Sequence, residues 1–444
     1  MLADAQVPAS CATPHAPAVL DGVPYAAVRW TPEGLERLVA ALRQAGPGLR
    51  AIPRRALLSA WGTTVEAFLD PASPERRALE PALARLCRLS PAGLAAGLAA
   101  VLGGVRRRPA AAQLARADSL RAGQGPGGAS GQTGQGPGAS GSPDLVVAVL
   151  ASNLPALAVQ PLLPALALRR PVLLKSPSAE PLFAPAFVAA LICREPRLAG
   201  AVAALTWPGG DQRLERPVLA AAGTVLAYGE EAALADLGRR APGRVVGYGP
   251  KTSVGVVGAD AGEAAAGLAR DVALFDQRGC LSIAAIYTDG DALELARRLE
   301  EALAGLARRW PPGPLDPTVA AAVQQLRLEA ALRGLAMSEL PVAEGTVIVE
   351  PEPAFRPSPG LRTVRVHPLA GLDGLPALLA PWGGRLQGAA LAGEDAWRLE
   401  SSLLELGISR CARPGELQSP DASWHNGGVD PLLALAEGMS GSLP

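Results

Sequence analysis

Short, uninterrupted apolar runs recur along the chain from residue 145, and stretches with helical spacing lie between most of them. The first run reads LVVAVLA (145–151), and others follow at 172–174, 201–205, 224–228 and 244–246. Such runs are typical of parallel strands covered on both faces, and their alternation with helices is typical of βαβ units. These residues therefore predict a doubly wound α/β sheet.

A second series of the same kind begins after residue 250. The predicted strands lie at 253–257, 282–287, 346–350 and 363–367, with a strand and a helix at 385–406. The predicted helices lie at 261–274, 291–309 and 317–336. The sequence thus predicts two α/β lobes that meet near residues 248–251, with a cleft between them.

The N-terminal third of the chain has a different pattern. Residues 1–30 are rich in proline and alanine and show no period, whereas residues 31–122 carry leucine and alanine at helical spacing. Residues 123–143 contain the near-repeat GQGPGGAS and GQGPGAS, which has nothing to bury. We predict helices in the second segment and, in the third, a flexible loop inserted within one domain rather than a linker.

Charge and cysteine content exclude several classes of protein. Lys plus Arg and Asp plus Glu both number 41, so no bulk positive field is available to hold nucleic acid. The 5 cysteines and 3 histidines show no CxxC spacing and predict neither a disulfide framework nor a metal site.

Residues 145–168 carry no charge and are long enough to cross a bilayer. They also contain Asn153, Gln160 and three prolines, which a strand, a turn and a helix accommodate better than a membrane helix does. Residues 1–20 hold no lysine or arginine and no continuous apolar run, so no secretory signal is predicted. We expect a cytoplasmic protein without a membrane span.

The composition is biased towards a few residue types, with 50 glycines and 43 prolines. Against this bias, the chain's lysines are Lys175 and Lys251, and its asparagines are Asn153 and Asn426. Residue types that persist against such a bias are candidates for positions held by chemistry, although chance also leaves such residues behind.

Three positions suggest chemistry from their local setting. Cys280, in FDQRGCLS (275–282), precedes a predicted strand and is either a nucleophilic thiolate in the cleft or a small buried residue. Asn153 is predicted where a strand ends and a helix begins at Pro155, and its amide either donates to an oxyanion or forms a turn. Lys175 ends a predicted strand and suits a ribose or phosphate, or is a solvated strand end.

These pieces resemble the aldehyde dehydrogenase superfamily, whose asparagine–strand–helix–strand–lysine block is similar to residues 151–181. More specifically, the chain resembles the bacterial long-chain acyl-CoA reductases, the LuxC-type fatty-acid reductases of that superfamily. The likeness covers residues 145–435 and is carried by SNLP (152–155), LLKSPS (173–178), GYGPKTSVGVV (247–257), DQRGCLS (276–282), LRTVRVHP (361–368) and SRCARPGELQSPDASWHNGG (409–428).

The resemblance implies an aldehyde dehydrogenase-like α/β fold with a dinucleotide-binding lobe, a catalytic lobe and an interlobe cleft. Residues 1–250 would hold the helical N-terminal part and the dinucleotide-binding lobe, with the Gly-rich insert at 123–143. Residues 251–415 would hold the catalytic lobe with Cys280, and residues 416–444 a C-terminal segment.

The resemblance also assigns roles to single residues. Cys280 would take the acyl group as a thioester, and Asn153 would form the oxyanion hole with the backbone N–H of Cys280. Lys175 would bind the adenosine ribose with Ser178 nearby.

Two further candidate site residues follow from the resemblance, and the implied site holds no metal. They are Gln277 and His425, of which His425 is a general acid, a cofactor contact or a structural residue. Serine or alanine where a ribose-binding glutamate is expected leaves room for a 2′-phosphate and favours NADPH. Glu180 lies close enough in sequence to keep NADH as an alternative.

The implied activity is NADPH-dependent reduction of a long-chain acyl thioester to the aldehyde through an acyl-cysteine. The donor would be an acyl-CoA or an acyl-protein, with an acyl-transferase or acyl-synthetase partner and a homo-oligomer as candidate assemblies. Hydrolytic aldehyde dehydrogenases carry a glutamate in a Glu-Leu-Gly-Gly block, whereas GYGPK (247–251) has no carboxylate, which favours reduction. The alternatives are a hydrolytic aldehyde or semialdehyde dehydrogenase and a non-catalytic subunit. Asn426, where an aspartate is expected, supports the last of these.

Overall fold

The computed structural model describes residues 2–122, 145–261 and 263–436, so the predicted insert at 123–143 lies outside the described residues. The strands are β1 (His15–Leu20), β2 (Val23–Val28), β3 (Val146–Val149), β4 (Val172–Ser176), β5 (Val202–Thr206), β6 (Thr224–Tyr228), β7 (Arg244–Tyr248), β8 (Thr252–Val257), β9 (Ile283–Thr288), β10 (Thr346–Val349), β11 (Thr363–Pro368), β12 (Leu386–Ala392) and β13 (Arg410–Ala412).

Helices connect most of these strands and also form most of the N-terminal third. They are α1 (Pro32–Gln44), α2 (Gly46–Arg50), α3 (Arg54–Leu69), α4 (Pro74–Leu86), α5 (Pro91–Gly103), α6 (Arg107–Arg121), α7 (Val159–Ala167), α8 (Phe183–Arg194), α9 (Gln212–Ala221), α10 (Glu231–Arg240), α11 (Ala264–Ala273), α12 (Ala292–Arg309), α13 (Pro317–Leu332), α14 (Leu375–Leu379), α15 (Glu394–Arg398), α16 (Glu400–Glu405) and α17 (Pro431–Ala436). Short 3-10 turns lie at Ala9–Cys11, Pro196–Leu198, Leu274–Gln277, Ala380–Arg385 and Asn426–Gly428.

The first parallel sheet has the strand order β5-β4-β3-β6-β7. Its central strands are buried throughout or nearly so, as their uninterrupted apolar sequences predict. Strands β4 and β5 extend from β3 on one side, and β6 and β7 on the other. The strand order therefore reverses between β3 and β6, where doubly wound sheets bind ligands at the carboxyl ends of their strands.

The second parallel sheet has the strand order β10-β11-β9-β8-β12-β13. Its two central strands, β8 and β9, pair with Val254 opposite Ala285. Lys251 directly precedes β8, and Cys280 lies just before β9. Because both residues precede parallel neighbours, they lie at the amino edge of this sheet, which faces the loops at the carboxyl edge of the first sheet.

The predicted N-terminal helices are confirmed and pack mainly on the first sheet. Helices α3 to α6 share one apolar core with β3, β4, α7 and α8. Within it Trp61 and Phe68 contact Phe187, with ring centroids 5.5 and 5.2 Å away. Aromatic pairs at this spacing add to the stability that burial already supplies.

Two local expectations differ from the structure. The N-terminal 30 residues contain the hairpin β1–β2, in which β1 is mostly exposed and β2 mostly half-buried, so neither strand shows a clear apolar alternation. The sequence signal for this hairpin is the Asp-Gly pair at residues 21–22. In the structure these two residues form the turn, with φ of 47° and 76°. Helix α7 begins at Val159 rather than at Pro155, because residues 152–158 form turns in which Ala156 has φ of 63°.

Within the described residues, no single helix is both long and apolar enough to cross a membrane. One pair of helices, Pro74–Leu86 and Pro91–Arg121, is long and apolar enough when taken together but is bent by 108°.

The domain boundaries at residues 250 and 415 stay predictions.

Gly104, which follows α5, is packed directly against the C-terminal segment. A Cβ at Gly104 would lie 1.9 Å from the carbonyl oxygen of Pro420, whereas one at Gly103 would meet nothing within 4 Å. We expect Gly104→Ala to lower the free energy of unfolding by about 1–3 kcal/mol, because backbone must move to admit the methyl group. Urea denaturation measures this loss.

The adjacent substitution Gly103→Ala is the matched control for Gly104→Ala. It adds the same methyl group on the same helix end, into open space. Equal stability of the two variants would contradict the close approach of Gly104 and Pro420.

Candidate active site

The backbone before Cys280 forms a left-handed turn of three non-glycine residues. Phe275, Asp276 and Gln277 have φ of 58°, 49° and 65°. Each such residue is costly for an L-amino acid, so the surrounding structure must stabilise the turn.

A buried ion pair holds the middle of this turn. The Asp276 carboxylate accepts hydrogen bonds from Nε and Nη2 of Arg362 at 3.1 and 2.8 Å, and from the backbone N–H of Gly313 at 3.0 Å. The Arg362 side chain is only 2% exposed, and it also donates to the carbonyl oxygen of Trp310. The pair thereby joins the turn to β11 and to the segment that follows α12.

Gln277, a predicted site residue, does not line the cleft. Its Nε2 donates to the carbonyl oxygens of Ile283 and Thr363, both at 2.7 Å, and its Oε1 accepts from the Thr363 N–H at 2.7 Å. The side chain is therefore engaged by backbone groups of β9 and β11, and it positions the turn.

Cys280 is half-buried and lines a cleft of about 790 Å³ between the two sheets. The Ser253 hydroxyl donates to the carbonyl oxygen of Cys280 at 3.0 Å, which fixes this backbone against β8. Burial raises the pKa of the Cys280 thiol to about 11, while the backbone N–H groups of Cys280 and Leu281 and the Lys251 ammonium lower it. The thiol is thus protonated in the free protein at neutral pH.

Asn153 is exposed in the loop that follows β3 and lines the same cleft. Its Nδ2 donates to the carbonyl oxygen of Arg278 at 3.2 Å. The structure thereby brings Asn153 to the Cys280 loop, across the boundary between the two sheets. One N–H of the amide stays available to a ligand.

Lys175 and Ser178 lie together at the carboxyl end of β4, and both line the cleft. The Lys175 ammonium lies 5.9 Å from the ring centroid of Trp207, and the Ser178 hydroxyl donates to the Trp207 carbonyl oxygen at 3.3 Å. Burial lowers the pKa of Lys175, and the Glu215 carboxylate opposes that shift.

Glu180, the residue that keeps NADH as an alternative, does not line the cleft. Its Oε1 accepts from the backbone N–H groups of Leu182 and Phe183 at 2.9 and 2.8 Å, and so caps the start of α8. Burial raises the pKa of this carboxyl to about 7.

His425 and Asn426 have different positions. The His425 ring lies outside the lining, with its Nε2 3.5 Å from an Asp430 oxygen. Asn426 does line the cleft, and its Oδ1 accepts from Gln387 Nε2 at 2.9 Å while its Nδ2 donates to Gln160 Oε1 at 3.5 Å. Asn426 therefore connects β12 of the second sheet with α7 of the first.

Sequence reasoning named no role for several cleft residues. Tyr228, at the end of β6, stacks on Tyr248 with ring centroids 4.6 Å apart. Burial raises the pKa of Tyr228 well above its ordinary value, and the nearby Tyr248 and Cys280 add to the shift. The reversal of strand order at β6 would have identified Tyr228. The compositional bias would have identified Lys251, because both lysines and both asparagines of the chain line this cleft.

The cleft also has an apolar wall. The side chains there come from α5, the loop after it, α7 with its preceding turn, and the C-terminal segment: Val101, Val105, Leu157, Leu163, Pro420 and Ala422. The cleft thus combines a thiol, an amide donor and a cationic subsite with a wall suited to a hydrocarbon chain. Within residues 2–122, 145–261 and 263–436, no three His, Cys, Asp or Glu side chains cluster as a metal site would require.

The sequence model of the family described as "Acyl-CoA reductase (LuxC)" matches residues 138–437. A long-chain acyl-protein thioester reductase from Aliivibrio fischeri is 27% identical over 234 residues, which make up 51% of this chain and 49% of that protein. The chain thus spans about half the length of the curated relatives it matches.

Solved structures share the fold at low sequence identity. Aldehyde dehydrogenase 21 from Physcomitrella patens, in complex with the reaction product succinate, matches with a TM-score of 0.70 and 14% identity, over 94% of this chain and 90% of that one. An NADP-dependent glyceraldehyde-3-phosphate dehydrogenase from Bacillus halodurans C-125, complexed with NADP, matches with a TM-score of 0.65 and 14% identity, over 90% and 87%. The expected aldehyde dehydrogenase-like α/β fold is confirmed.

The ion pair behind the left-handed turn gives a test of stability. We expect Arg362→Met to lower the free energy of unfolding by about 3–5 kcal/mol, because the substitution leaves the Asp276 carboxylate buried without its cation. Urea denaturation measures the change.

The control for Arg362→Met is Arg356→Met, which breaks an exposed pair with Glu352 at 2.8 Å. We expect that variant to lose less than about 1 kcal/mol. If the two variants were equally stable, the turn would not depend on Arg362.

Proposed function

The chain belongs to the acyl-CoA reductase (LuxC) family, and from that premise we propose that it reduces an acyl thioester to the aldehyde with NADPH, through an acyl-Cys280 intermediate. The observation that carries this proposal is the meeting of Cys280 and Asn153 in one cleft. That cleft also has a cationic subsite at Lys175 and an apolar wall. The acyl group would lie against the apolar wall with its carbonyl at Cys280.

Cys280 would act as the nucleophile. Its thiolate attacks the thioester carbonyl carbon, and the new C–S bond leaves a negative charge on the carbonyl oxygen. The Asn153 amide and the backbone N–H of Cys280 supply donors for that oxygen. Collapse of the adduct breaks the donor's C–S bond, and the released thiolate takes a proton to leave as a thiol.

The second half of the reaction uses the same donors. A nicotinamide dinucleotide, when bound, supplies a hydride to the acyl carbon. The resulting hemithioacetal oxygen is held by Asn153 and the Cys280 N–H, and its collapse releases the aldehyde and returns the thiolate. Together, one acyl thioester, one NADPH and one proton give one aldehyde, one thiol and one NADP⁺.

The cleft fits a phosphorylated dinucleotide at its cationic subsite. Lys175 and Ser178 line the cleft together and would bind the adenosine ribose, whereas the Glu180 carboxylate caps α8 and does not line the cleft. A ribose 2′-phosphate there would meet a cation and a hydroxyl, without a carboxylate from this loop to repel it. This arrangement supports NADPH over NADH.

Reduction is favoured over hydrolysis by the groups around the thiol. Within the described residues, no carboxylate hydrogen bonds to the Cys280 sulfur, and the acidic cleft residues are Glu230 and Asp421. The Asp421 carboxylate accepts from the N–H and hydroxyl of Ser423. No carboxylate of the described residues is thus held against the thiol by a hydrogen bond to its sulfur, which supports reduction over hydrolysis.

The acyl donor would be a protein thioester or a coenzyme A thioester. The Aliivibrio fischeri relative is described as an acyl-protein thioester reductase, which supports a protein donor. Such a donor implies a partner that activates or transfers the acyl group.

The function is tested by incubating the protein with NADPH and a series of acyl-CoAs of increasing chain length. We expect oxidation of NADPH, formation of aldehyde and an acyl adduct on Cys280 in the intact mass, because the thioester forms before the hydride arrives. All three should be lost in Cys280→Ala. Aldehyde chromatography and peptide mapping locate the product and the adduct.

The control for Cys280→Ala is Cys193→Ala, which removes an exposed cysteine of α8. It should keep full turnover and the adduct. Turnover by Cys280→Ala, or an adduct on another cysteine, would refute the assignment of the nucleophile.

The cofactor preference is tested at Ser178. We expect Ser178→Glu to lower the ratio of kcat/KM for NADPH to that for NADH by at least about tenfold, since a carboxylate repels the 2′-phosphate and accepts from a ribose hydroxyl. Ser178→Ala, which adds no charge, should change the ratio much less. A wild-type preference for NADH would contradict the cofactor assignment.

A further inference from the structure

Lys251 lies beside Cys280 at the amino edge of the second sheet. It directly precedes β8, and Cys280 leads into β9, the parallel neighbour of β8. The backbones of these two segments are joined by the Ser253 hydroxyl on the Cys280 carbonyl oxygen at 3.0 Å and by the Ser253 N–H on the Ser282 carbonyl oxygen at 3.2 Å. Both side chains line the cleft.

The Lys251 ammonium has no protein anion to pair with in the described part of the chain. The residue is half-buried and forms no hydrogen bond or ion pair there. A Cβ at Gly427 would lie 4.0 Å from its Nζ, so the C-terminal segment covers it closely. A partly desolvated cation in this position is most stable when an anion occupies the cleft beside it.

The other cation near Cys280 is already engaged. Arg278 donates through Nε to the Phe275 carbonyl oxygen at 3.1 Å and through Nη2 to the Arg88 carbonyl oxygen at 3.4 Å. Its guanidinium therefore stabilises the left-handed turn and the approach of the N-terminal helices. Of the cations that line the cleft in the described residues, Lys251 is the one at this sheet edge that forms no hydrogen bond or ion pair.

We propose that the Lys251 ammonium is the electrostatic partner of the Cys280 thiolate, which it stabilises across the amino edge of the sheet without giving up its own proton. The proposal rests on the proposed role of Cys280 as nucleophile. The Cys280 S–H bond breaks and its proton leaves to water in the cleft, so the sulfur carries the negative charge beside Lys251. The field of Lys251 opposes the effect of burial on the Cys280 thiol, in agreement with this placement.

The role matters because, within the described residues, no carboxylate or imidazole hydrogen bonds to the Cys280 sulfur, although Glu230 and Asp421 line the cleft. A fixed positive charge raises the thiolate fraction at a given pH without any proton transfer to a base. The same charge also favours return of the sulfur as a thiolate when the aldehyde leaves.

The test is the rate of alkylation of Cys280 by iodoacetamide between pH 6 and pH 11, followed by mass spectrometry of the Cys280 peptide. We expect Lys251→Met to react about three- to tenfold more slowly at pH 8 than the wild type, with its pH profile shifted upwards. Lys251→Arg, which keeps the charge, should remain within about twofold of the wild type. Identical profiles for Lys251→Met and the wild type would overturn the proposal.

Two controls isolate the electrostatic effect. Lys175→Met removes the other lysine of the cleft and should leave the alkylation profile unchanged, and an equal slowing there would indicate a general change of the cleft. Lys251→Gln is the second variant should Lys251→Met fail to fold, as judged by circular dichroism. If Lys251→Met bound the dinucleotide more weakly but Cys280 was alkylated at the wild-type rate, Lys251 would be assigned to the cofactor and the thiolate role would be refuted.

The alkylation assay needs neither an acyl donor nor NADPH. A protein that reduces no acyl thioester, yet shows the Lys251-dependent profile, would refute the proposed function and retain this inference. If the protein reduces acyl thioesters but Cys280 is alkylated at the same rate in Lys251→Met as in the wild type, the proposed function stands and this inference is refuted.

Discussion

The ion pair between Asp276 and Arg362 underlies the geometry of the whole cleft. Three successive left-handed residues would not persist in a free loop, because each costs energy that local contacts do not return. Arg362, which directly precedes β11 and is distant in sequence, supplies that energy, and it is buried where an unpaired charge is not tolerated. The left-handed turn then fixes the position of Cys280 against β8. A long-range charge pair thus determines the position of a side chain that it does not touch.

The cleft is made where two sheet edges of opposite polarity meet. The first sheet contributes loops from the carboxyl ends of its strands, with Asn153 and Lys175, whereas the second contributes residues that precede its central strands, with Lys251 and Cys280. Loops after parallel strands are free to vary and to bind ligands. The residues before β8 and β9 are instead fixed by the first hydrogen bonds between these two strands. Such positions suit two groups, here Lys251 and Cys280, whose separation must not change.

Much of this architecture could be predicted from the sequence, because uninterrupted apolar strands and helical spacing report burial directly. The strands from residue 145 onwards were found in this way, except β13 (Arg410–Ala412), which is only three residues long. The local settings of Asn153, Lys175 and Cys280 gave three cleft residues. The left-handed turn could not be predicted, since its cause lies at Arg362. Gln277 was misplaced for a related reason: a polar side chain next to a nucleophile gives no sign in sequence that backbone groups of Thr363 will engage it.

The C-terminal segment contributes Pro420 and Ala422 to the apolar wall of the cleft and is joined to both lobes. Gln113 donates to the Ala422 carbonyl oxygen at 2.9 Å, Arg170 donates to the Leu435 carbonyl oxygen at 2.6 Å, and Asn426 connects β12 with α7. During synthesis, therefore, both sheets can assemble while the cleft still lacks a wall. Residues 420–436 follow every strand of both sheets along the chain, so this wall of the cleft is the last part to be supplied in chain order.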